Sequence, residues 1–339
     1  MPAEWEPHEA VWLGWPHNAS DWPGKIAAIH FVYVEIVRRI AESETVRILV
    51  NDERHEAKAR TILKNCGVDL QMIEFFRMPT DRGWTRDFGP IFVKNDSEIA
   101  IAGFKFNAWA KYDDHKLDSR IAEKIAKRLK KPYFPIKYND KPFVLEGGAI
   151  DVNGKGTLIT TKECLLDQEI QVRNPGLSKN EIEQVLAHSL GATNVLWLGR
   201  GIAGDDTHGH VDDLCRFVNA KTVVLCRETN SKDANYRLLQ ENHERLAGFR
   251  LENGAKIQTA FLPMPEPLYY RGQRLPASYA NFLITNSCVL VPTFNDPNDR
   301  VALGILADLF PKRKVIGIHA VDLVWGLGTL HCLSQQQPA

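Results

Sequence analysis

One pattern, met five times along the chain, restricts the fold more than any other feature. It is a short apolar, β-branched run, then an amphipathic helix, then a second apolar run. It is read at VRILV (46–50), 53–66 and LQMIEFF (70–76), and again at EIAIAGF (98–104), 116–131 and PYFPIKY (132–138). GTLITT (156–161), 177–190 and NVLWLG (194–199) form the third instance, and TVVLC (222–226), 234–249 and KIQTAFLP (256–263) the fourth. The fifth is SCVLVPTF (287–294), 298–310 and KVIGIHA (314–320), and one extra helix is expected near 25–42.

After the second run of every unit comes a loop rich in reactive or glycine residues. These are WTRDFGP (84–90), VLEGGAID (144–151), GDDTHGHVDD (204–213), YRGQRLPASYAN (270–281) and WGLGTLHCLSQ (325–335). If similar units are arranged about an axis, like the blades of a propeller, such loops converge at one place. Loops on a rigid scaffold are where chemistry is usually put. Strand–helix alternation also fits a doubly wound α/β sheet. Against that alternative, no G-x-G-x-x-G follows the first strand, and the reactive residues are spread over the chain instead of clustering at one switch point. No Pro/Ser-rich linker divides the 339 residues. The expectation is therefore α/β, a five-bladed propeller of pseudo-fivefold symmetry in a single domain over 1–339.

Charge and cysteine usage narrow the function classes. Lys+Arg and Asp+Glu balance at 42 each, so no global field recruits nucleic acid or an anionic membrane. No basic-then-apolar leader opens the chain and no long uncharged apolar stretch follows, so a cytoplasmic location is expected. Six cysteines are scattered without a C-x-x-C pair, against a disulfide framework or a thiol-rich zinc site. Cys226 and Cys288 lie in apolar runs and read as small buried hydrophobes. Cys332 is the exception, the eighth residue from the end, among glycines and polar residues.

Four of the five loops supply groups with chemical uses: Asp87, Glu146, the pair His210 and Asp212, and Cys332. A nucleophilic thiolate needs an acid/base group and a substrate held in line. Carboxylates beside it raise its pKa and blunt it, unless the substrate brings positive charge to cancel theirs. A guanidinium does so, being planar, always cationic, and able to donate in pairs to a carboxylate. Taken singly, each residue has a plainer explanation. Asp87 could cap a turn or accept from Arg86, Glu146 could order its loop, and His208 and His210 could be a satisfied polar pair. Their recurrence in equivalent loops favours a joint site. A zinc site on His208-x-His210-x-Asp212 is the sharper rival, but His243, His319 and His331 stand without ligand-like company, so no metal is expected. A non-enzymatic amine-binding module would explain the acids and leave the thiol without a reason.

Together and in this order, WTRDFGP, LEGGAID, DDTHGHVDDLCRF, SYANFLITN and LHCLSQQQP resemble the agmatine deiminase family, as does the opening MPAEWEPHEAVWLGWP. That family belongs to a wider guanidine-modifying superfamily with the bacterial type of peptidyl-arginine deiminase, and the resemblance spans essentially the whole chain. It implies a pentein-like five-bladed α/β propeller and hydrolytic deimination of agmatine to N-carbamoylputrescine and ammonia, with no metal or organic cofactor. It implies Cys332 as nucleophile, His210 as general acid/base, Asp87 and Asp212 as guanidinium clamps, Glu146 as the acid beside the histidine, and Trp84 as a pocket wall. The chain departs from many relatives where Leu327 and Thr329 interrupt a glycine run before the His-Cys pair. Glycines there would allow positive φ or a close approach to substrate.

For the distal amine of agmatine, Asp206 is the expected acceptor, with Asn281 on the side of the pocket. Free arginine would instead want a cation such as Arg200, Arg271 or Arg274, and a peptidyl-arginine would need an open mouth. The expected partner is a small guanidine, with no nucleic acid and no membrane; a homo-oligomer is compatible with the sequence, which does not specify one.

Overall fold

The computed structural model describes residues 1–339, and all five units form where the periodicity places them. The helices Glu53–Asn65, Ile121–Leu129, Lys179–Leu190, Asn235–Gly248 and Pro297–Leu309 each connect two parallel, adjacent strands. The additional helix, Ile26–Ala41, buries Ile29, Tyr33, Ile36, Val37 and Ile40, a stripe at helical spacing. Helix starts are set locally. Asp52 accepts from the His55 N–H at 2.7 Å, and Ser178 with Glu181 and Asp296 with Asp299 form reciprocal capping boxes.

Each unit also holds a strand that the periodicity does not announce. Ile91–Lys94, Asp151–Val152, Cys215–Asn219 and Leu283–Ile284 each run antiparallel to the first strand of a unit, and Ser334–Pro338 runs antiparallel to His8–Gly14, a strand outside the five units. Each follows directly on one of the reactive loops, so every such loop is the link from one sheet to the next. The outcome is five small sheets, one of four strands and four of three, with two isolated strand pairs besides. No continuous parallel sheet exists, which removes the doubly wound alternative. The propeller-like α/β arrangement stands in its place.

The last link brings the end of the chain back to its beginning. Ser334–Pro338 pairs antiparallel with His8–Gly14, and the sequence SQQQP, which looks like a solvated tail, is buried throughout. Two of its three amide oxygens are matched: Gln337 Oε1 accepts from Trp12 Nε1 at 3.0 Å and Arg47 Nη1 at 2.6 Å, and Gln336 Oε1 from Arg86 Nη1 at 2.6 Å. Cys332 is thereby held two residues before a buried strand. One apolar cluster of 71 buried residues takes members from all five sheets, so the link loops rest on a common floor. No helix is long and apolar enough to cross a membrane.

Candidate functional site

The link loops enter the next sheet through tight turns, and the turns carry the polar residues. Thr85–Phe88, a single helical turn, holds Asp87; Gly147–Ala149 follows Glu146; Val211–Asp213 holds Asp212 directly after His210. The five residues expected to act together do meet, and none is more than 5 % exposed. His210 Nδ1 lies 3.8 Å from Asp87 Oδ1 and Nε2 lies 3.9 Å from Glu146 Oε2, while Cys332 Sγ is 3.7 Å from Asp212 Oδ2. Gly148 sits at their crossing. A methyl group on it would stand 2.5 Å from His210 Nδ1, 2.9 Å from Asp87 Oδ1 and 3.1 Å from Asp212 Oδ2, so only hydrogen fits.

The acids are held from behind. Glu146 Oε1 accepts from Arg173 Nε at 3.0 Å, both side chains being fully buried, and its Oε2 has no partner and faces His210. Asp212 Oδ2 accepts from His331 Nδ1 at 2.7 Å, and Oδ1 is unpartnered. Asp87 accepts from Trp109 Nε1 at 2.9 Å and from the Gly148 N–H at 3.0 Å. Both nitrogens of His210 are also free of protein partners. Buried polar groups are normally matched, so this concentration of unmatched ones marks groups able to serve a ligand.

The electrostatics separate the roles. Burial drives the Cys332 thiol well above its ordinary value, and Asp212, Asp213 and Asp87 drive it further. Burial likewise lifts Asp87 to about 6, with Asp212 and Glu146 adding to it against the pull of His210. Burial would raise Glu146 too, but Arg173 and then His210 hold it down to about 2. His210 goes well above the usual histidine range, because Asp87, Cys164 and Glu146 together outweigh its burial. Near neutrality the site thus combines an imidazolium, ionised Asp87 and Glu146, and a thiol that stays protonated until positive charge arrives.

A cavity of about 160 Å³ opens beside the thiol, and Trp84, Trp109 and Trp325 wall it with Asp87 and Cys332. Asp206 lines it as expected, its carboxylate taking Lys111 Nζ at 2.6 Å and Tyr112 Oη at 2.7 Å. Asn281 corrects the expectation. It does not face the cavity but lies beneath the thiol, donating from Nδ2 to Cys332 Sγ at 3.1 Å and to Asp213 Oδ1 at 2.9 Å. The SYANF loop reaches the centre from behind.

None of Arg200, Arg271 and Arg274 lines the cavity: the first two are exposed, and Arg274 binds Asp233 at 2.9 Å. The arginine that does line it, Arg82, is engaged by Asp21 and, at 3.0 Å, by Asp114. His208 Nε2 turns to Asp167 at 2.7 Å, so the two histidines of HGH serve different centres and the zinc spacing is not realised in three dimensions. Leu327 adopts φ +68°, the left-handed conformation a glycine would take without strain, and Thr329 Oγ1 donates to Asn281 Oδ1 at 2.8 Å.

Arg173 and Trp109 were not singled out from the sequence, and neither lies in a reactive loop. Trp109 had one readable sign: FNAWAKY places three aromatics in the connection between the first strand and the helix of the second unit. It sits in a run of three left-handed residues, Ala108, Trp109 and Ala110 at φ 50°, 58° and 53°. Such backbone costs on the order of 1–2 kcal/mol per residue and is found where function requires it.

Comparison with known proteins bears on the whole chain. The family model of the Porphyromonas-type peptidyl-arginine deiminases matches residues 1–338. The agmatine deiminase of Ectopseudomonas mendocina is 35% identical over 369 aligned positions, covering 100% of this chain and 95% of that one. Among solved structures, the agmatine deiminase of Enterococcus faecalis superposes with a TM-score of 0.90 at 32% identity, covering 100% and 95% of the two chains. The C. jejuni agmatine deiminase with a Cys-to-Ser substitution and substrate bound gives 0.88 at 32% identity, covering 100% and 96%.

Proposed function

The chain belongs to the Porphyromonas-type peptidyl-arginine deiminase family, and on that premise we propose that it hydrolyses agmatine to N-carbamoylputrescine and ammonia. The observation that carries this reading is that Cys332 and Asp87 face one small cavity walled by indoles, while His210, Glu146 and Asp212, each with an unmatched polar atom, pack against that pair from the protein side.

In this reading the guanidinium lies between Asp87 and Asp212, and its charge releases the Cys332 proton to solvent. The thiolate attacks the guanidinium carbon, and the carboxylates stabilise the adduct. His210 gives its proton to the departing amino group, which leaves as ammonia and an amidino-thioether on Cys332. Water then attacks that carbon while the neutral His210 takes its proton. Collapse expels the thiolate, and the ureido product forms as the hydroxyl proton passes to the released ammonia. Glu146, ionised beside His210, keeps the imidazolium available for the first half of the cycle.

Agmatine is favoured over arginine because the one arginine lining the cavity, Arg82, is already engaged by Asp21 and Asp114, so no free cation there awaits an α-carboxylate. Asp206 is assigned to the distal amine and Trp84 to the walls. The reading needs no metal, takes 1–339 as one domain, and is that of a cytoplasmic enzyme.

Agmatine, free arginine and a blocked arginine peptide, scored for ureido product and ammonia, test it. Agmatine should be turned over best, with activity sensitive to a thiol alkylator and insensitive to EDTA. Cys332→Ala should bind agmatine in a calorimeter and release no ammonia. Wild-type rates from that variant, or activity lost to EDTA alone, would overturn the scheme; amine binding without ammonia would mean a binding module.

A further inference from the structure

His331 precedes the thiol, is buried, and has no part in the steps above. Its ring bridges two carboxylates, with Nδ1 2.7 Å from Asp212 Oδ2 and Nε2 2.9 Å from Glu4 Oε2. A neutral imidazole has one N–H and would leave a lone pair facing one of these oxygens; only the imidazolium donates to both.

Glu4 is itself firmly held. Its Oε1 accepts from the Ile284 N–H at 2.8 Å, its Oε2 takes Arg216, and Arg86 Nη2 lies 4.0 Å away. Burial would raise this carboxyl, yet Arg216, His331 and Arg86 keep it far below the carboxylate range. Arg216 is shared with Asp151. A hydrophobic cluster of the same volume would stabilise the fold as well or better, since taking several charges out of water is costly. The array therefore asks for a role beyond stability.

We propose that Glu4 and His331 form a buried charged relay that positions Asp212: the imidazolium, anchored on Glu4, occupies one oxygen of Asp212 and leaves the other for the guanidinium. The relay rests on the deiminase reading and adds two residues to it, one from the opposite end of the chain. It accounts for the unmatched Oδ1 of Asp212 beside a matched Oδ2. It also decides which of two adjacent acids carries charge. Burial would raise both, but His331 pulls Asp212 below its ordinary value, whereas Asp213, pressed by Asp212 and Asp205, rises well above its own. Both directions favour a proton on Asp213 over one on the clamp residue Asp212. His210 and Arg216 support the charge of Asp212, while Asp87, Asp212 and Asp213 all press on the Cys332 thiol, so the relay sets one balance among several in the loops around it.

The test uses the full chain with Glu4→Gln, His331→Asn and the double variant. Wild-type turnover of agmatine is measured first, because its absence would sink the deiminase reading while the spectroscopic arm still judges the relay. His331→Asn should lower kcat/KM about tenfold or more and move the acid limb of its pH profile upward, as Asp212 loses its cation. Glu4→Gln should shift that limb the same way by less, and the double variant should be no worse than His331→Asn, because Glu4 acts through the histidine. Nitrogen NMR of the wild-type imidazoles, assigned with His331→Asn, should show an N–H on both ring nitrogens of His331, as its bridge between Asp212 and Glu4 requires. A single-N–H tautomer, or variants that lower the melting temperature and leave the acid limb in place, would overturn the proposal. Should His331→Asn fail to fold, Glu4→Gln decides the matter: a raised acid limb supports the relay and an unshifted one overturns it.

Discussion

Asn281 donates from Nδ2 to the sulfur of Cys332 at 3.1 Å and accepts at Oδ1 from the backbone N–H of His331 at 3.0 Å. One buried amide thus fixes both the nucleophile and the turn that carries it. The same Nδ2 ties down Asp213 at 2.9 Å.

Removing that amide should misplace the thiol and make it harder to ionise, since the Asn281 hydrogen bond is what opposes the surrounding acids. Asn281→Ala is expected to lose about 1–3 kcal/mol of stability through the unmatched groups left behind. Alkylation of Cys332 by iodoacetamide should slow in step with kcat. An unchanged alkylation rate would mean that the amide only supports the fold.

Asp87 illustrates a site group that works against stability. Its carboxyl rises from 3.8 unfolded to about 6 folded, so between those values the native state holds more protons and stability falls as pH rises. Asp87→Asn should therefore be more stable than wild type above pH 6, by on the order of 1–3 kcal/mol, with the gain gone below pH 4. Turnover should be lost at every pH. Thermal melts of both proteins across that range are the check.

The Arg173–Glu146 pair has the opposite sign. Glu146 is held at about 2 against an ordinary 4.5, which contributes stability above 4.5 that is lost as pH falls toward 2. Arg173→Met leaves the buried carboxylate uncompensated and should cost about 3–5 kcal/mol near neutrality. Denaturant titrations should show the deficit shrinking in acid. A deficit independent of pH would assign the loss to packing.

Asp206 should matter for one end of the substrate only. Asp206→Ala is expected to raise KM for agmatine about tenfold or more with kcat little changed, and to affect an alkylguanidine lacking the amine much less. Its contacts with Lys111 and Tyr112 mean that part of any stability loss belongs to those residues. Equal effects on both substrates would remove Asp206 from the amine subsite.

The fivefold recurrence of strand, helix and strand could be read directly, because 2.0 and 3.6 residue periods and helix caps are properties of neighbouring residues. The reactive loops could be read for the same reason, and with them Asp87, Glu146, His210, Asp212 and Cys332. The antiparallel link strands escaped, since two residues such as Asp151–Val152 are too few to show a period and Ser334–Pro338 has the polarity of a tail. Asn281, expected on the side of the substrate pocket, lies behind the thiol instead. What tertiary structure alone decided is how each buried charge is matched: Arg173 behind Glu146, Trp109 on Asp87, and Glu4 reaching His331 across 327 positions of sequence. Charge pairing depends on distance in space and on the exclusion of water, and neither is set by distance along the chain.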